Sequence, residues 1–263
     1  MNKTIKHSII TICMLTTISM ADEVKVADVE AQYSAKSNME ASRELKQSIN
    51  LGFSNTTGNI DTLNLNGKYT MSLTTTGYAN QALKVAFDAS AFITKNNDVK
   101  DNEEFIANLG LEQYITDSWL GYASVNWLRN EFINYDNKFS VGAGIGKEIF
   151  NDGQHSLKLK LGAAYNIEQF SNAQEDDKYA SLNEYIEYNN KLNEVSNLYV
   201  KVGASQNFDD FADYEVLGVA GLNFAVAENL SVTIEEEVRW DKIPPVGFNT
   251  TDTKTIVRVG YNF

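Results

Sequence analysis

The sequence predicts an all-β fold: a transmembrane antiparallel up-and-down β-barrel of twelve strands, preceded by a cleaved signal peptide. Three observations predict it. Polar and apolar residues alternate along most of the chain, the connections between alternating segments differ in length, and the last segment ends on aromatic residues. A period of two places alternate side chains on opposite faces of a strand. In a membrane barrel, one of these faces meets lipid and the other meets the interior.

The carboxyl-terminal segment shows the alternation clearly. Its apolar face ends on Tyr261 and Phe263, and its other face carries Lys254 and Arg258. It resembles the closing strand of bacterial outer-membrane barrels, and this resemblance implies that Tyr261 and Phe263 act as an assembly signal for the barrel assembly machinery. An edge strand of a soluble sandwich would explain this motif alone, so the other segments have to decide between the two folds.

The amino terminus has the features of an export signal. Lys3 and Lys6 precede an apolar run over residues 8–19, and small residues at Ser19 and Ala21 predict cleavage after Ala21. The run is shorter than the roughly 20 residues that a transmembrane helix needs. Cys13, the one cysteine, lies in this leader. The mature chain is therefore expected to be exported and to lack disulfides and thiol chemistry.

The alternation predicts three regions: the signal peptide at 1–21, a partly helical or disordered periplasmic lead-in at 22–46, and the barrel at 47–263. A lead-in that enters the barrel as a plug is the alternative. The expected strands cover residues 47–55, 61–74, 81–95, 103–115, 118–132, 135–150, 155–170, 179–193, 197–208, 213–227, 230–242 and 252–263. Segment 179–193 also fits a helical period, and without it the barrel would have ten strands or an odd number.

The connections between the segments support the same topology. With both termini in the periplasm, periplasmic connections such as 116–117 and 228–229 are short. Extracellular connections at 96–102, 171–178 and 243–251 are longer and more acidic. Short periplasmic turns and longer outer loops are typical of outer-membrane barrels.

The opening of the barrel resembles a known family. Residues 47–74 combine a strand containing Gly52-Phe53, a Thr56-Thr57-Gly58-Asn59 turn, and a second strand with Leu and Tyr. This pattern is similar to that of the salt-induced outer membrane protein family, a bacterial domain of unknown function. The resemblance extends over about residues 47–263 and implies an outer-membrane barrel, with no activity assigned.

Composition and motifs exclude several other functions. The formal net charge of −13 argues against nucleic-acid binding, which needs a basic face. The glycines at 142, 144 and 146 before Lys147 lack the helix and the Ser or Thr of a phosphate loop. They are expected to make room inside the barrel or to let its wall curve. His155, the histidine of the mature chain, falls at a predicted turn. A surface hydrolase, whose serine needs a positioned base, is therefore less favoured, and no enzyme or cofactor is predicted.

Acidic residues gather in two of the expected outer loops. Carboxylate oxygens are the ligands that Ca²⁺ and Mg²⁺ prefer. The candidates for binding divalent cations, against the alternative of plain solvated loops, are Glu175, Asp176, Asp177, Asp209, Asp210 and Asp213.

The inward-facing residues carry the functional prediction. The phase of the alternation places charges of both signs in the lumen: Lys68, Lys84, Asp88, Glu112, Lys158, Lys160, Glu168, Lys201, Glu215, Glu235, Glu237, Arg239, Lys254 and Arg258. Twelve strands lie between small barrels filled by side chains and wide porins that hold water. The sequence predicts a narrow, weakly selective channel for ions or small solutes in the cell outer membrane, with lipid and lipopolysaccharide as its surroundings. A structural or stress-induced barrel without transport is the alternative.

Overall fold

The computed structural model describes residues 44–57, 62–96, 99–130, 133–172, 174–245 and 247–263. These residues form a closed barrel of twelve strands, each paired antiparallel with its neighbours in sequence. The strands are β1 (Glu44–Thr57), β2 (Thr62–Thr76), β3 (Ala82–Asn96), β4 (Val99–Tyr114), β5 (Trp119–Asn130), β6 (Tyr135–Asn151), β7 (His155–Phe170), β8 (Asp177–Asn193), β9 (Ser196–Asn207), β10 (Tyr214–Ala227), β11 (Leu230–Asp241) and β12 (Thr251–Asn262). The predicted fold class and strand count are therefore confirmed.

The barrel closes where β1 meets β12. Their pairing runs from Ser48 opposite Asn262 to Thr57 opposite Thr253. Beyond the last strand, Gln47 and Phe263 exchange two backbone hydrogen bonds, with N···O distances of 3.3 and 3.0 Å. The terminal residue thus seals the seam through its backbone, while its ring stays exposed beside that of Tyr261, with 6.4 Å between ring centroids. In the described barrel, each strand is paired with a neighbour on both sides.

Apolar side chains cover the outside of this barrel. Along β7, Leu159 and Leu161 are 38% and 49% exposed, whereas Lys158, just before them, is 5% exposed. Val141 and Val259 on other strands are likewise exposed. This is the reverse of a soluble protein, and it fits a barrel whose outer wall faces lipid. Some apolar side chains are nevertheless buried, among them a small cluster of Ala82, Tyr114 and Leu120.

The sequence-based boundaries need correction at several strand ends, chiefly at the start of β1 and between β3 and β4. The first strand begins at Glu44, so the end of the expected lead-in belongs to the barrel; the rest of the lead-in and the signal peptide lie outside the described residues. The long loop expected at 96–102 was wrong, because β3 continues to Asn96 and β4 starts at Val99. Strand pairing uses the backbone and therefore continues through polar residues, with a bulge between Thr94 and Lys95.

Segment 179–193 is a strand, as predicted, and the helical alternative was wrong. It forms β8, with Tyr185 opposite Lys160 on one side and opposite Gly203 on the other. Elsewhere, a 3₁₀ turn at Tyr78–Asn80 connects β2 to β3. In the part of the chain that the structure describes, no helix has the length and apolar character needed to cross a membrane.

Candidate functional site

The candidate site is the barrel interior. Of the residues that the sequence assigns to the lumen, Lys84, Lys158, Glu168, Glu235 and Arg258 are buried, with exposures of 5–7%. The others are partly buried: Lys68, Asp88, Glu112, Lys160, Lys201, Glu215, Glu237, Arg239 and Lys254. Some of their ion pairs, such as that of Lys158 on β7 with Glu112 on β4, join strands that are not neighbours in the wall, so these side chains meet inside the barrel.

At the outer end of the interior, the rim opposite Phe263, Lys138 connects side chains from different strands. Its ammonium lies 2.9 Å from Glu168 of β7 and 2.8 Å from Glu215 of β10. Arg239 also approaches Glu215, at 3.4 Å, and the Tyr179 hydroxyl donates to Glu168 at 2.8 Å. Because β6 and β10 are four strands apart, the Lys138–Glu215 contact crosses the interior.

A second crossing lies deeper in the barrel. Lys254 of β12 pairs with Glu104 of β4, again four strands away, and it lies 3.4 Å from Glu237 on the adjacent strand. Asn130 donates to the second oxygen of Glu104 at 3.1 Å. The Lys254 ammonium sits 5.0 Å from the centroid of the Phe92 ring, a cation–π distance. Glu104 is thereby bonded through both oxygens.

Two further clusters occupy the end nearer Phe263. In one, the Glu112 carboxylate forms ion pairs with Lys158, at an N···O distance of 2.7 Å, and with Lys160. The Lys160 ammonium also lies 2.6 Å from the Glu187 carboxylate. In the other, Arg258 binds Glu235 at 3.0 Å and donates from Nε to Asn66 at 3.0 Å, while the Tyr199 hydroxyl donates to Glu235. Buried charges are tolerated when they are paired and hydrogen-bonded, as they are here.

Among the described residues, sequence reasoning missed several charged residues of the interior, which include Lys138, Glu104, Glu148 and Glu187. They lie at alternate positions with the inward-facing residues of their strands, so a strict count along each strand would have identified them. Lys138 and Glu148 share the phase of the β6 glycines, and Glu104 shares the phase of Glu112. Glu187 lies on β8, whose helical period obscured its phase. Glu148 accepts a hydrogen bond from the Tyr114 hydroxyl at 2.8 Å, between β4 and β6.

The β6 glycines make room for an aromatic side chain, which was one of the two roles predicted for them. Gly144 of β6 lies opposite Gly162 of β7, and Tyr122 of β5 packs over both. A Cβ at Gly144 would come within 2.7 Å of the Tyr122 ring. Tyr122 in turn contacts Tyr185 edge-on, with 6.1 Å between ring centroids, and this pair lies across the interior.

The loop carboxylates do not converge. Glu175, Asp176 and Asp177 are exposed around the start of β8, and Asp209 and Asp210 are exposed in the next outer connection. Asp210 accepts the Ala212 N–H at 2.9 Å, as in an ordinary turn. Across the described ranges, no group of three or more His, Cys, Asp or Glu side chains is placed to hold a metal ion. Divalent-cation binding by these residues and Asp213 stays a prediction.

His155 lies at the opposite end, where the turn from β6 begins β7. Its ring Nδ1 is 2.9 Å from the Tyr188 hydroxyl, and its backbone N–H donates to Asp152 at 2.6 Å. The Asp152 carboxylate also accepts the Gln154 N–H, and these bonds hold the pKa of Asp152 below its usual range. The geometry is that of a structural turn.

Two of the cavities formed by the described residues lie within the barrel. The outer vestibule has a volume of about 190 Å³ and is lined by residues that include Tyr135, Lys138, Asp213, Glu215 and Asp241. The inner cavity, about 30 Å³, is lined by Lys68, Glu235 and Arg258 among others. No described residue lines both cavities. Along β11 and β12, the Lys254–Glu237 pair lies between Arg258, which lines the inner cavity, and Asp241, which lines the outer vestibule.

A family model described as "protein of unknown function, DUF481" matches residues 49–263. The chain belongs to this family. The match spans the barrel from β1 to β12, and it confirms the family resemblance that residues 47–74 indicate. One similar protein is the uncharacterized protein YdiY of Escherichia coli K12, which is 21% identical over 224 residues, 84% of each chain.

Solved structures of outer-membrane channels have a similar fold. The NanC porin superimposes with a TM-score of 0.52 at 6% identity, covering 81% of this chain and 98% of that one. The COG4313 outer membrane channel from Pseudomonas putida F1 gives 0.53 at 8% identity, covering 87% and 98%. At these identities the likeness concerns the fold, which this DUF481 family chain shares with outer-membrane barrels.

Proposed function

We propose that this protein is an outer-membrane β-barrel that acts as a narrow, weakly selective channel for ions and small solutes. Its placement in the bacterial outer membrane is supported by the exposed apolar wall, the aromatic pair at Tyr261 and Phe263, and the shared fold with outer-membrane channels. Lipid and lipopolysaccharide would surround the wall, and the barrel assembly machinery would read the terminal aromatic residues.

One observation carries the transport proposal: the interior is lined by charges of both signs and opens into the outer vestibule. A wall that served only as a scaffold would gain more from apolar filling, because buried ion pairs contribute little net stability. Charged side chains can replace part of the hydration shell of a passing ion. Beyond the vestibule lining, pairs such as Lys254–Glu104 and Arg258–Glu235 present charges of both signs, so neither cations nor anions are expected to be strongly favoured along that part of the path.

The crossings made by Lys138 and Lys254 explain why the channel would be narrow. Each crossing ties together strands that are four apart in the wall and places charged side chains within the interior. The same observation favours the second candidate, a structural barrel without transport in which these pairs close the interior. The two candidates therefore differ in whether solute passes the Lys254 crossing.

Flux from proteoliposomes distinguishes these candidates. The full mature chain would be reconstituted into vesicles loaded with KCl and a disaccharide, and efflux of each would be followed. The channel proposal predicts release of K⁺ and Cl⁻ at comparable rates with retention of the sugar. Release of nothing above protein-free vesicles would favour the structural barrel, and release of the sugar would contradict a narrow path.

No catalytic role is proposed. The hydroxyl, imidazole and carboxylate groups of a hydrolase must lie together on one surface, whereas His155 lies at the end of the barrel opposite the outer acidic loops. Those loops, with Asp209 and Asp210, are proposed to attract divalent cations that bridge lipopolysaccharide, as their exposure permits.

A further inference from the structure

The outer vestibule combines aromatic faces with carboxylates. Tyr135 and Phe170 pack together in its wall, with 5.6 Å between ring centroids. Its lining contains five acidic side chains and one cationic one, Lys138. A cavity needs about 10–15 Å³ to hold one water molecule, so about 190 Å³ accommodates a small organic molecule as well as water.

The surroundings of the Lys138 ammonium show which chemical group this vestibule can bind. Its ammonium is held between the carboxylates of Glu168 and Glu215, at 2.9 and 2.8 Å. The same nitrogen lies 4.9 Å from the centroid of the Tyr135 ring. Two carboxylates and an aromatic face are the elements that bind organic ammonium groups. The Lys138 side chain therefore already occupies one position in the vestibule that can bind an ammonium group.

Two other carboxylates of the vestibule have hydrogen bonds but no cation. Asp213 accepts from the Asn207 amide at 3.1 Å, and Asp241 accepts the Ile243 N–H at 2.9 Å. Among the described residues neither forms an ion pair. Burial raises the pKa of Asp213, which lies in the connection between β9 and β10. A cation placed here would relieve the cost of keeping that carboxylate ionised.

We propose that the outer vestibule binds small organic diammonium compounds. One ammonium pairs with Asp213 and Asp241, the alkyl chain lies along Tyr135 and Phe170, and the second ammonium shares Glu215 with Lys138. A divalent metal ion is the weaker candidate, because it needs several oxygens converging on one point, and the described residues provide no such group. The proposal deepens the channel function by naming a class of solute, but binding does not depend on passage.

Calorimetric titration of the detergent-solubilised protein tests the proposal. The probes are 1,5-diaminopentane, the isosteric 1,5-pentanediol and MgCl₂. We expect saturable binding of the diamine and none of the diol. The Asp213→Asn, Asp241→Asn double variant should bind the diamine at least about tenfold more weakly, since each lost charge-assisted contact is worth about 1.5–3 kcal/mol and a factor of ten corresponds to about 1.4 kcal/mol. Asp209→Asn with Asp210→Asn, outside the vestibule, is the matched control.

The Lys138→Met variant supplies an independent readout. Removing the tethered ammonium frees Glu168 and Glu215 for the ligand, so diamine binding should tighten while the diol stays inert. Equal binding by the wild-type protein and the Asp213/Asp241 variant would overturn the proposal, as would binding of Mg²⁺ in competition with the diamine at equal strength. Diamine binding without ion flux would leave this site intact and reject only the channel.

Discussion

Lys254 and Glu104 meet inside the barrel although 150 residues separate them along the chain. Their side chains are 12% and 2% exposed, and they join β12 to β4 across the interior. Asn130 and Glu237 complete the local network. The pair lies between the outer vestibule and the inner cavity, so it affects both the rigidity of the wall and the width of any path through it.

Breaking this pair should be costly. Replacing Lys254 with Met leaves the Glu104 carboxylate buried without a full counter-charge, and we expect a loss of about 3–5 kcal/mol in the free energy of unfolding. Adding Glu104→Gln should recover part of that loss, because the remaining groups are neutral. Urea unfolding in lipid bilayers measures both variants. Additive losses in the double variant would show that the two residues do not interact.

The pleat of β7 can be tested at neighbouring positions. Leu159 faces outward and is 38% exposed, whereas Lys160 pairs with Glu112 and Glu187 inside. A nitroxide on Leu159→Cys should therefore be relaxed by oxygen, which concentrates in lipid, and a nitroxide on Lys160→Cys by a water-soluble nickel chelate. Electron paramagnetic resonance of the two single-cysteine variants provides the comparison. Equal nickel accessibility at both positions would mean that the assigned faces are wrong.

Gly144 should not tolerate alanine. The added methyl group would press on the Tyr122 ring and on the backbone of β7, and overpacking of this kind costs about 1–3 kcal/mol. Gly110 is the matched control, since a Cβ there meets no atom within 4 Å. Gly110→Ala should change the free energy of unfolding by less than about 0.5 kcal/mol. Comparable losses in the two variants would contradict the packing role of the β6 glycines.

Phe263 is expected to serve assembly more than stability. Its ring is 56% exposed, and the hydrogen bonds to Gln47 come from its backbone. Phe263→Ala should thus cost at most about 1.5–3 kcal/mol in detergent, yet strongly reduce the inserted fraction in cells. Quantifying the membrane-inserted protein gives the test, with Phe263→Tyr as the variant that restores insertion. Normal insertion of the alanine variant would remove the assembly role.

The alternation of polar and apolar residues predicted the strands well, because the polarity of each residue indicates which face of the strand it occupies. Even β8, with its ambiguous period, occupies Asp177–Asn193, close to the predicted segment. The largest boundary error falls at the hairpin between β3 and β4, where pairing continues through polar residues beyond the apolar band. The alternation of polar and apolar residues ends there, but the backbone hydrogen bonds between β3 and β4 continue to Asn96 and Val99.

The contacts inside the barrel were not predictable in the same way. Parity shows that Lys138 and Glu215 both face inward, but their meeting depends on the curvature of the wall and on the stagger between strands. These are properties of the closed sheet, and they bring together residues 77 positions apart. The vestibule has the same origin, since its walls come from strand ends that no local pattern connects.

Single-channel recording in planar bilayers tests the channel most directly. The full mature chain should give small, discrete conductance steps in KCl, with a reversal potential near zero across a salt gradient. The Lys254→Met, Glu104→Gln variant should give larger steps, because the crossing between the vestibule and the inner cavity is weakened. An absence of steps from both proteins, when each is shown to be folded and inserted, would contradict the proposed function.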